Sequence, residues 1–71
     1  MTINDILNTI STSPHLFVAV YSNGKILFIG NDRKMPEEIA NCKVESFNIN
    51  KMVNVNGMSK IARMQFYVFW N

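Results

Sequence analysis

The side chains of this sequence that could do chemistry are few and lie far apart. His15 is the one histidine and Cys42 the one cysteine, and the stretch between them holds no nucleophile motif and no acid placed to orient a base. Glu37 and Glu38 are neighbours, so on a helix their carboxylates would point about 100° apart. That arrangement suits the free N–H groups of a first helical turn better than acid–base catalysis. We therefore expect a protein that is not an enzyme and has no catalytic residues.

Metal and cofactor patterns are also missing from the sequence. His15 and Cys42 do not form a cluster with zinc spacing, and Asp32 has no oxygen-donating companions at the spacing of a calcium loop. Only Gly30 precedes the polar stretch at Asn31, whereas a phosphate-binding loop needs several glycines. The sequence therefore predicts no metal site and no cofactor. It places His15 on the surface and makes Cys42 a small buried thiol.

The last part of the chain, residues 60–71, alternates in the manner of a β-strand with one face in the core. One set of alternate side chains is wholly apolar and is predicted to be buried: Ala62, Met64, Phe66, Val68 and Trp70. The other set is mixed and is predicted to face solvent: Ile61, Arg63, Gln65, Tyr67 and Phe69. Because burying a large apolar side chain contributes about 1.5–3 kcal/mol, we expect this strand to be a main anchor of the core.

Asn56-Gly57 predicts a tight turn that pairs this strand with the preceding segment, residues 43–55. Pairing outward from the turn sets apolar against apolar and polar against polar side chains. The predicted pairs are Phe47 with Phe66, Ile49 with Met64, Asn48 with Gln65, Ser46 with Tyr67, Asn50 with Arg63 and Val44 with Phe69. The alternative for residues 51–59 is an irregular loop.

The solvent-facing side of this C-terminal hairpin is the best candidate site. Its side chains would form one hydrogen-bonding patch beside an aromatic ring, which we predict to bind protein: Arg63, Gln65, Tyr67, Phe69, Asn48 and Asn50. Tyrosine and arginine are common anchors of protein interfaces. The same pair on an open sheet can also stack the bases of single-stranded nucleic acid. A third interpretation is a solvated face that binds nothing.

Two short helices are predicted elsewhere in the chain. Thr2 and Asp5 have the spacing of a capping box, and apolar residues recur at helical spacing between residues 3 and 10. At residues 35–41, Pro36 stands before two glutamates, which is typical of a helix start. Neither helix is long enough to be stable alone in water. We expect the first helix to pack its apolar stripe on a sheet.

Asn23-Gly24 predicts another type I′ turn, between strands at residues 16–21 and 25–30. Pairing from this turn puts Tyr21 opposite Ile26 and Val20 opposite Leu27. Both faces of this hairpin are apolar, so it is either covered on both sides or has one face available to a partner. We therefore predict a homodimer with this hairpin at its interface, through the following residues or their opposite face: Phe17, Ala19, Tyr21, Ile26 and Phe28. A purely self-assembling structural protein is an alternative that follows from the same feature.

Composition limits the remaining function classes. The chain is 48% apolar and 17% charged, which argues against disorder. Its net charge is +2 without a block of basic residues, so nucleic-acid binding is compatible with the sequence but is not favoured by it. A single cysteine excludes a disulfide scaffold. The sequence has neither a signal-peptide pattern nor a long apolar run, so we expect a cytoplasmic protein with no membrane contact.

These signals together predict an α+β fold with a single domain over residues 1–71. The predicted order is α-β-β-α-β-β. The sheet is expected to be small, antiparallel and four-stranded, built from the two hairpins. The N-terminal helix is expected to pack on one face of this sheet.

The order of these signals resembles that of small, mostly uncharacterised proteins from phages and prophages of low-GC Gram-positive bacteria. The resemblance rests on a short first helix, TINDIL at residues 2–7, and on an Asn-Gly hairpin, VAVYSNGKILFIG at residues 18–30. A Pro-Glu-Glu helix start, MPEEI at residues 35–39, and a strand pair complete it. Some proteins of this group inhibit host-defence proteins, and anti-CRISPR proteins are among them.

The resemblance implies a non-enzymatic interaction module of phage or mobile-element origin that binds a host or phage protein. Anti-CRISPR proteins that mimic nucleic acid are strongly acidic, and this chain departs from that pattern with its charge of +2. An inhibitor of this composition would cover a protein surface instead of imitating phosphates. The alternative function is a small nucleic-acid-binding protein that uses the outer face of the C-terminal hairpin.

Overall fold

The structure, a computed structural model, describes residues 1–70 and shows two short helices and four strands. In chain order the elements are α1 (Ile3–Leu7), β1 (Thr12–Ser22), β2 (Lys25–Asn31), a 3₁₀ turn (Asp32–Lys34), α2 (Glu37–Ala40), β3 (Val44–Val55) and β4 (Met58–Val68). The predicted α+β class and the order α-β-β-α-β-β are confirmed. Neither helix in this part of the chain is long and apolar enough to cross a membrane.

The sheet is mixed, so the prediction of an all-antiparallel sheet is wrong. The strand order is β2-β1-β4-β3, and β1 pairs with β4 in parallel. The chain leaves β2 at one edge, passes through the 3₁₀ turn and α2, and enters β3 at the opposite edge. This connection carries the chain from one edge of the sheet to the other and leaves β1 and β4 running in the same direction. The result places β1 and β4, which carry most of the buried side chains, at the centre of the sheet.

Both hairpins turn as the Asn-Gly pairs predict. Asn23 has φ of 52° and Gly24 has φ of 77°, while Asn56 and Gly57 have φ of 53° and 81°. Two consecutive residues with positive φ define the type I′ turn, which glycine and asparagine adopt most readily. Strands β3 and β4 run up to the second turn, so residues 51–59 form a regular hairpin and not an irregular loop.

A β-bulge changes the register of the first hairpin from the predicted one. Tyr21 lies opposite Ile26 as predicted, but Val20 lies opposite Phe28 instead of Leu27. The ring of Phe28 covers Gly30, where an added Cβ would lie 3.3 Å from the ring and where φ is 152°. Glycine is the residue that tolerates both this contact and this backbone conformation. The bulge moves Phe28 to the side of Val20, so it does not share a face with the other residues predicted at the homodimer interface.

The register of the second hairpin is confirmed in its middle and wrong at two positions. The confirmed pairs are Phe47 with Phe66, Ile49 with Met64, Asn48 with Gln65 and Ser46 with Tyr67. Irregularities on either side put Lys51, and not Asn50, opposite Arg63, and put Val68, and not Phe69, opposite Val44. Such local insertions bend a strand and cannot be read from the turn that fixes the rest of the register.

The core lies between the two helices and one face of the sheet. Ile3 and Ile6 from α1 and Ile39 from α2 pack against buried residues of the two central strands: Leu16, Val18, Val20, Ile61, Met64, Phe66 and Val68. The predicted capping box holds the start of α1: the Thr2 hydroxyl accepts a hydrogen bond from the Asp5 N–H at 3.2 Å, and the Asp5 carboxylate accepts one from the Thr2 N–H at 2.9 Å. The hydrogen bond from the Thr2 N–H, with a smaller contribution from the Thr2 side chain, lowers the pKa of the Asp5 carboxyl group.

The predicted faces of β4 are correct for its middle and wrong at its ends. Met64, Phe66 and Val68 are buried, whereas Ala62 is half-buried and Trp70 is exposed beyond the end of the strand. Ile61, predicted to face solvent, is buried. The register of β3 and β4 shifts where Met52 meets Ile61, so the simple alternation is interrupted there.

Replacing Phe66 by alanine should lower the free energy of unfolding by about 3–5 kcal/mol, because the ring is fully buried at the centre of the core. The total free energy of unfolding of a domain of this size is little larger than this loss. Chemical denaturation followed by circular dichroism measures the change. The matched control is Phe69→Ala, which removes an exposed ring of the same residue type and should cost less than about 1 kcal/mol. Equal losses from the two variants would show that the core is misassigned.

Candidate functional site

The face of the sheet opposite the helices, here called the outer face, is not covered by any element of the described residues. Both helices pack on the other side, against Val18, Val20, Met64 and Phe66. In a strand the neighbouring side chains point the opposite way. The outer face therefore carries the alternate residues of β1 and β4 together with their neighbours on β2 and β3.

The six residues that the sequence predicts as a protein-binding site lie on or beside this face. Asn48 and Gln65 are directly opposite each other, and the Asn50 side-chain amide donates a hydrogen bond to the Gln65 side-chain oxygen at 3.4 Å. Arg63 and Tyr67 flank Gln65 along β4. Phe69 follows the end of that strand and is exposed. The structure thus places the predicted residues side by side on the two strands of the C-terminal hairpin, with Phe69 just beyond the end of β4.

The first hairpin adds aromatic and aliphatic residues that the sequence did not assign to this site. Parallel pairing of β1 with β4 places Phe17 beside Arg63, Ala19 beside Gln65 and Tyr21 beside Tyr67. On the next strand out, Ile29 lies opposite Ala19 and Ile26 lies opposite Tyr21. The sequence feature that could have pointed to these residues is the apolar character of both faces of the first hairpin. The neighbouring strand could not be identified, because strand order is not encoded in a local pattern.

Two aromatic contacts hold the side chains of the outer face in place. The rings of Tyr21 and Tyr67 stack across the two central strands, with centroids 5.4 Å apart and planes inclined by 22°. The guanidinium carbon of Arg63 lies 5.8 Å from the centroid of the Phe17 ring, within the range of a cation–π contact. Because these groups are fixed on strands and by each other, little side-chain entropy remains to be lost when a ligand binds.

Large apolar side chains remain exposed on this face. The exposed fractions are 59% for Ile26, 49% for Ile29, 41% for Phe17 and 36% for Tyr67. Ala19, the smallest residue among them, is only 8% exposed because larger neighbours surround it. Single exposed apolar residues are ordinary, but a contiguous group on one face is typical of an interaction surface.

Charge is distributed unevenly along the outer face. Arg63 and Lys51 lie opposite each other at one end. At the other end Glu45 lines a shallow cavity of about 360 Å³ together with Tyr21, Tyr67 and Asn23. The face therefore has a positive end and an end that carries a carboxylate, with aromatic and amide groups between them.

In residues 1–70 no three side chains of the His, Cys, Asp and Glu types come together as a metal site. His15 is exposed on β1, whereas Cys42 is buried after α2, where its thiol donates to the Glu38 carbonyl at 3.3 Å. Burial, with a smaller effect of Glu38, raises the pKa of this thiol, which makes it a poor nucleophile.

Comparison with protein-family models, with curated proteins and with solved structures finds no match to this chain.

The stacked tyrosines should be energetically coupled. We expect a double-mutant cycle of Tyr21→Ala and Tyr67→Ala to give a coupling free energy of about 0.5–1.5 kcal/mol in unfolding, the usual value of an aromatic pair. Urea denaturation of the four proteins measures it. A control cycle pairs Tyr67→Ala with Ile29→Ala, which lies in another row of the same face, and should be additive within about 0.5 kcal/mol. Additivity in both cycles would contradict the stacking.

Proposed function

We propose that this chain is a non-enzymatic protein-interaction module that binds a protein partner through the outer face. The observation that carries the proposal is the contiguous set of exposed aromatic and aliphatic side chains on a sheet face that neither helix of residues 1–70 covers. Removing apolar surface from water is favourable by about 25 cal/mol per Å², and the exposed outer face does not gain this free energy in the single chain. A protein partner that covers it would recover this free energy.

The side chains on this face are of the types that supply most of the energy in protein interfaces. Tyr67, Arg63 and Phe17 lie on the two central strands and are the expected anchors. The amides of Gln65, Asn48 and Asn50 supply hydrogen bonds around them. An interface with apolar anchors and a polar surround is the usual anatomy of specific protein recognition.

Nucleic-acid binding is the second candidate, because an arginine and several aromatic rings share an open sheet. Two features make it the weaker one. The tyrosines stack on each other, which occupies ring faces that a base would need. Glu45 lies beside them and would repel a phosphate backbone. A surface with charges of both signs suits a protein partner better than a polyanion.

The resemblance to small phage proteins gives the proposal its biological setting. On that resemblance alone, we place the partner among host or phage proteins in the host cytoplasm, with host-defence proteins as the first class to examine. Inhibition would then come from covering a surface of the partner. The net charge of +2 is consistent with this mode and not with imitation of nucleic acid.

Oligonucleotide titration separates the two candidate functions. We expect no single- or double-stranded oligonucleotide to bind at physiological salt more tightly than about 10⁻⁴ M, the weak end of non-specific affinity. Fluorescence anisotropy with labelled oligonucleotides at low and physiological salt measures this. Micromolar binding whose logarithm falls steeply with the logarithm of salt concentration would favour the nucleic-acid candidate, since each neutralised phosphate adds about 0.7–0.9 to the slope.

Replacing Tyr67 by alanine should weaken the complex with the protein partner by more than about 1 kcal/mol. Its effect on the free energy of unfolding should be no more than about 1.5 kcal/mol, because the ring is partly exposed and loses mainly its stack on Tyr21. Capture from host lysate by the tagged chain, followed by a titration with the purified partner, measures the affinity. The control is Met58→Ala, an exposed residue next to the second turn. Partner binding that Tyr67→Ala leaves intact would place the interface elsewhere.

A further inference from the structure

We propose that two copies of this chain associate through the free edge of β3, antiparallel and centred on Asn48, so that the four-stranded sheets join into one of eight strands. This association is separate from the partner complex on the outer face. It also differs from the homodimer that the first hairpin predicts, because it uses backbone hydrogen bonds at an edge and not the face of a hairpin.

The edge of β3 is long and mostly unoccupied. The strand spans Val44–Val55 and pairs only with β4 on one side. On its other side the N-terminus covers only the beginning, where the Val44 N–H donates to the Met1 carbonyl at 2.8 Å and Thr2 bridges to Lys43. From Glu45 onward no other strand of the described residues pairs with this side. An edge of this kind is a template for pairing with another strand.

The sequence of β3 is complementary to itself about Asn48. Antiparallel pairing at this centre sets Phe47 opposite Ile49 of the second copy, and these two side chains are 42% and 48% exposed in the single chain. Side chains in such directly opposed positions have Cβ atoms about 4.5–5.5 Å apart and make contact. Both apolar residues belong to the helix side of the sheet, where they would extend the core across the junction.

The charges favour the same register. Lys51 lies opposite Arg63 in its own chain, and like charges in that position repel. Pairing centred on Asn48 brings Glu45 of the second copy opposite Lys51, and the two-fold symmetry repeats this contact. Within one chain nothing in the strand pairing places a carboxylate at this position. The second copy therefore supplies the missing counter-charge.

Moving the centre by one residue in either direction gives poorer pairing of side chains, so the register centred on Asn48 is preferred. A centre at Phe47 would set Glu45 opposite Ile49, and a centre at Ile49 would set Lys51 opposite Phe47. In each of those registers a charged side chain of the outer face would be paired with an apolar side chain of the helix side. The two would not meet, and the charges would stay unpaired. Of these three centres, only Asn48 matches charge with charge and apolar with apolar side chains.

The irregularities of β3 allow the second strand to avoid the N-terminus. After Lys51 the second copy would meet the segment of Met1 and Thr2, which occupies the edge at Lys43 and Val44. The register of β3 shifts on both sides of Lys51, and such irregularities bend a strand. The bend lies where the second strand must leave the shared edge.

Disulfide capture tests the position of the two-fold axis. Asn48→Cys places two thiols directly opposite each other, so we expect a covalent dimer on mild oxidation in non-reducing electrophoresis. The control is Asn50→Cys, an exposed site on the same strand. In the proposed register its two copies lie about 13 Å apart along the strand, at roughly 3.3 Å per residue, which is too far for a disulfide. Capture at both sites, or at neither, would overturn the register.

Charge reversal tests the association without a covalent bond. Sedimentation of the unmodified chain should show a dimer at micromolar concentrations, and Glu45→Lys or Lys51→Glu should each raise the dissociation constant by at least about tenfold, since two attractions become two repulsions. Mixing the two variants should restore association as a heterodimer. Glu37→Lys, an exposed change of the same charge on α2, should have no effect. A strictly 8.2 kDa species at high concentration, or a mixture that does not associate, would refute the proposal.

Discussion

Parallel pairing of β1 with β4 is the interaction on which the rest of this structure depends. It sets Val18 beside Met64 and Val20 beside Phe66, and these four side chains are fully or almost fully buried. A chain of 71 residues has few apolar side chains to spare. Joining the two hairpins through their most apolar strands gives both of those strands a neighbour on each side. The two short helices then need to cover only one face.

The same pairing creates the outer face, because strands that share a core face also share the opposite one. It brings Phe17 and Tyr21 from the first hairpin against Arg63 and Tyr67 from the second. Neither hairpin alone would present this combination of aromatic rings, a guanidinium group and amides. The outer face is therefore a product of the crossover that passes through α2.

Features of this fold that depend on residues close together in the chain could be predicted from the sequence. Features that depend on residues far apart in the chain could not. The Asn-Gly turns and the capping box of Thr2 and Asp5 depend on residues close in the chain, and each has a specific backbone geometry. The middle of the second hairpin follows from its turn. The order of the strands depends instead on which edges of the two hairpins meet. The sequence is compatible with several such arrangements. The bulge between Val20 and Tyr21 and the packing of Phe28 over Gly30 are features that the alternation of residues does not reveal.

The residues of the candidate site divide in the same way into those that the sequence could group and those that it could not. Asn48, Gln65 and Tyr67 could be grouped because one turn fixes their register, whereas Phe17 and Tyr21 join them only through strand order. The charges connect the two proposals made here. If Glu45 of a second copy neutralises Lys51, Arg63 remains as the cation of the outer face, held over Phe17. A protein partner that matches this surface would then present a carboxylate or carbonyl oxygens to Arg63 and apolar side chains to the rings beside it.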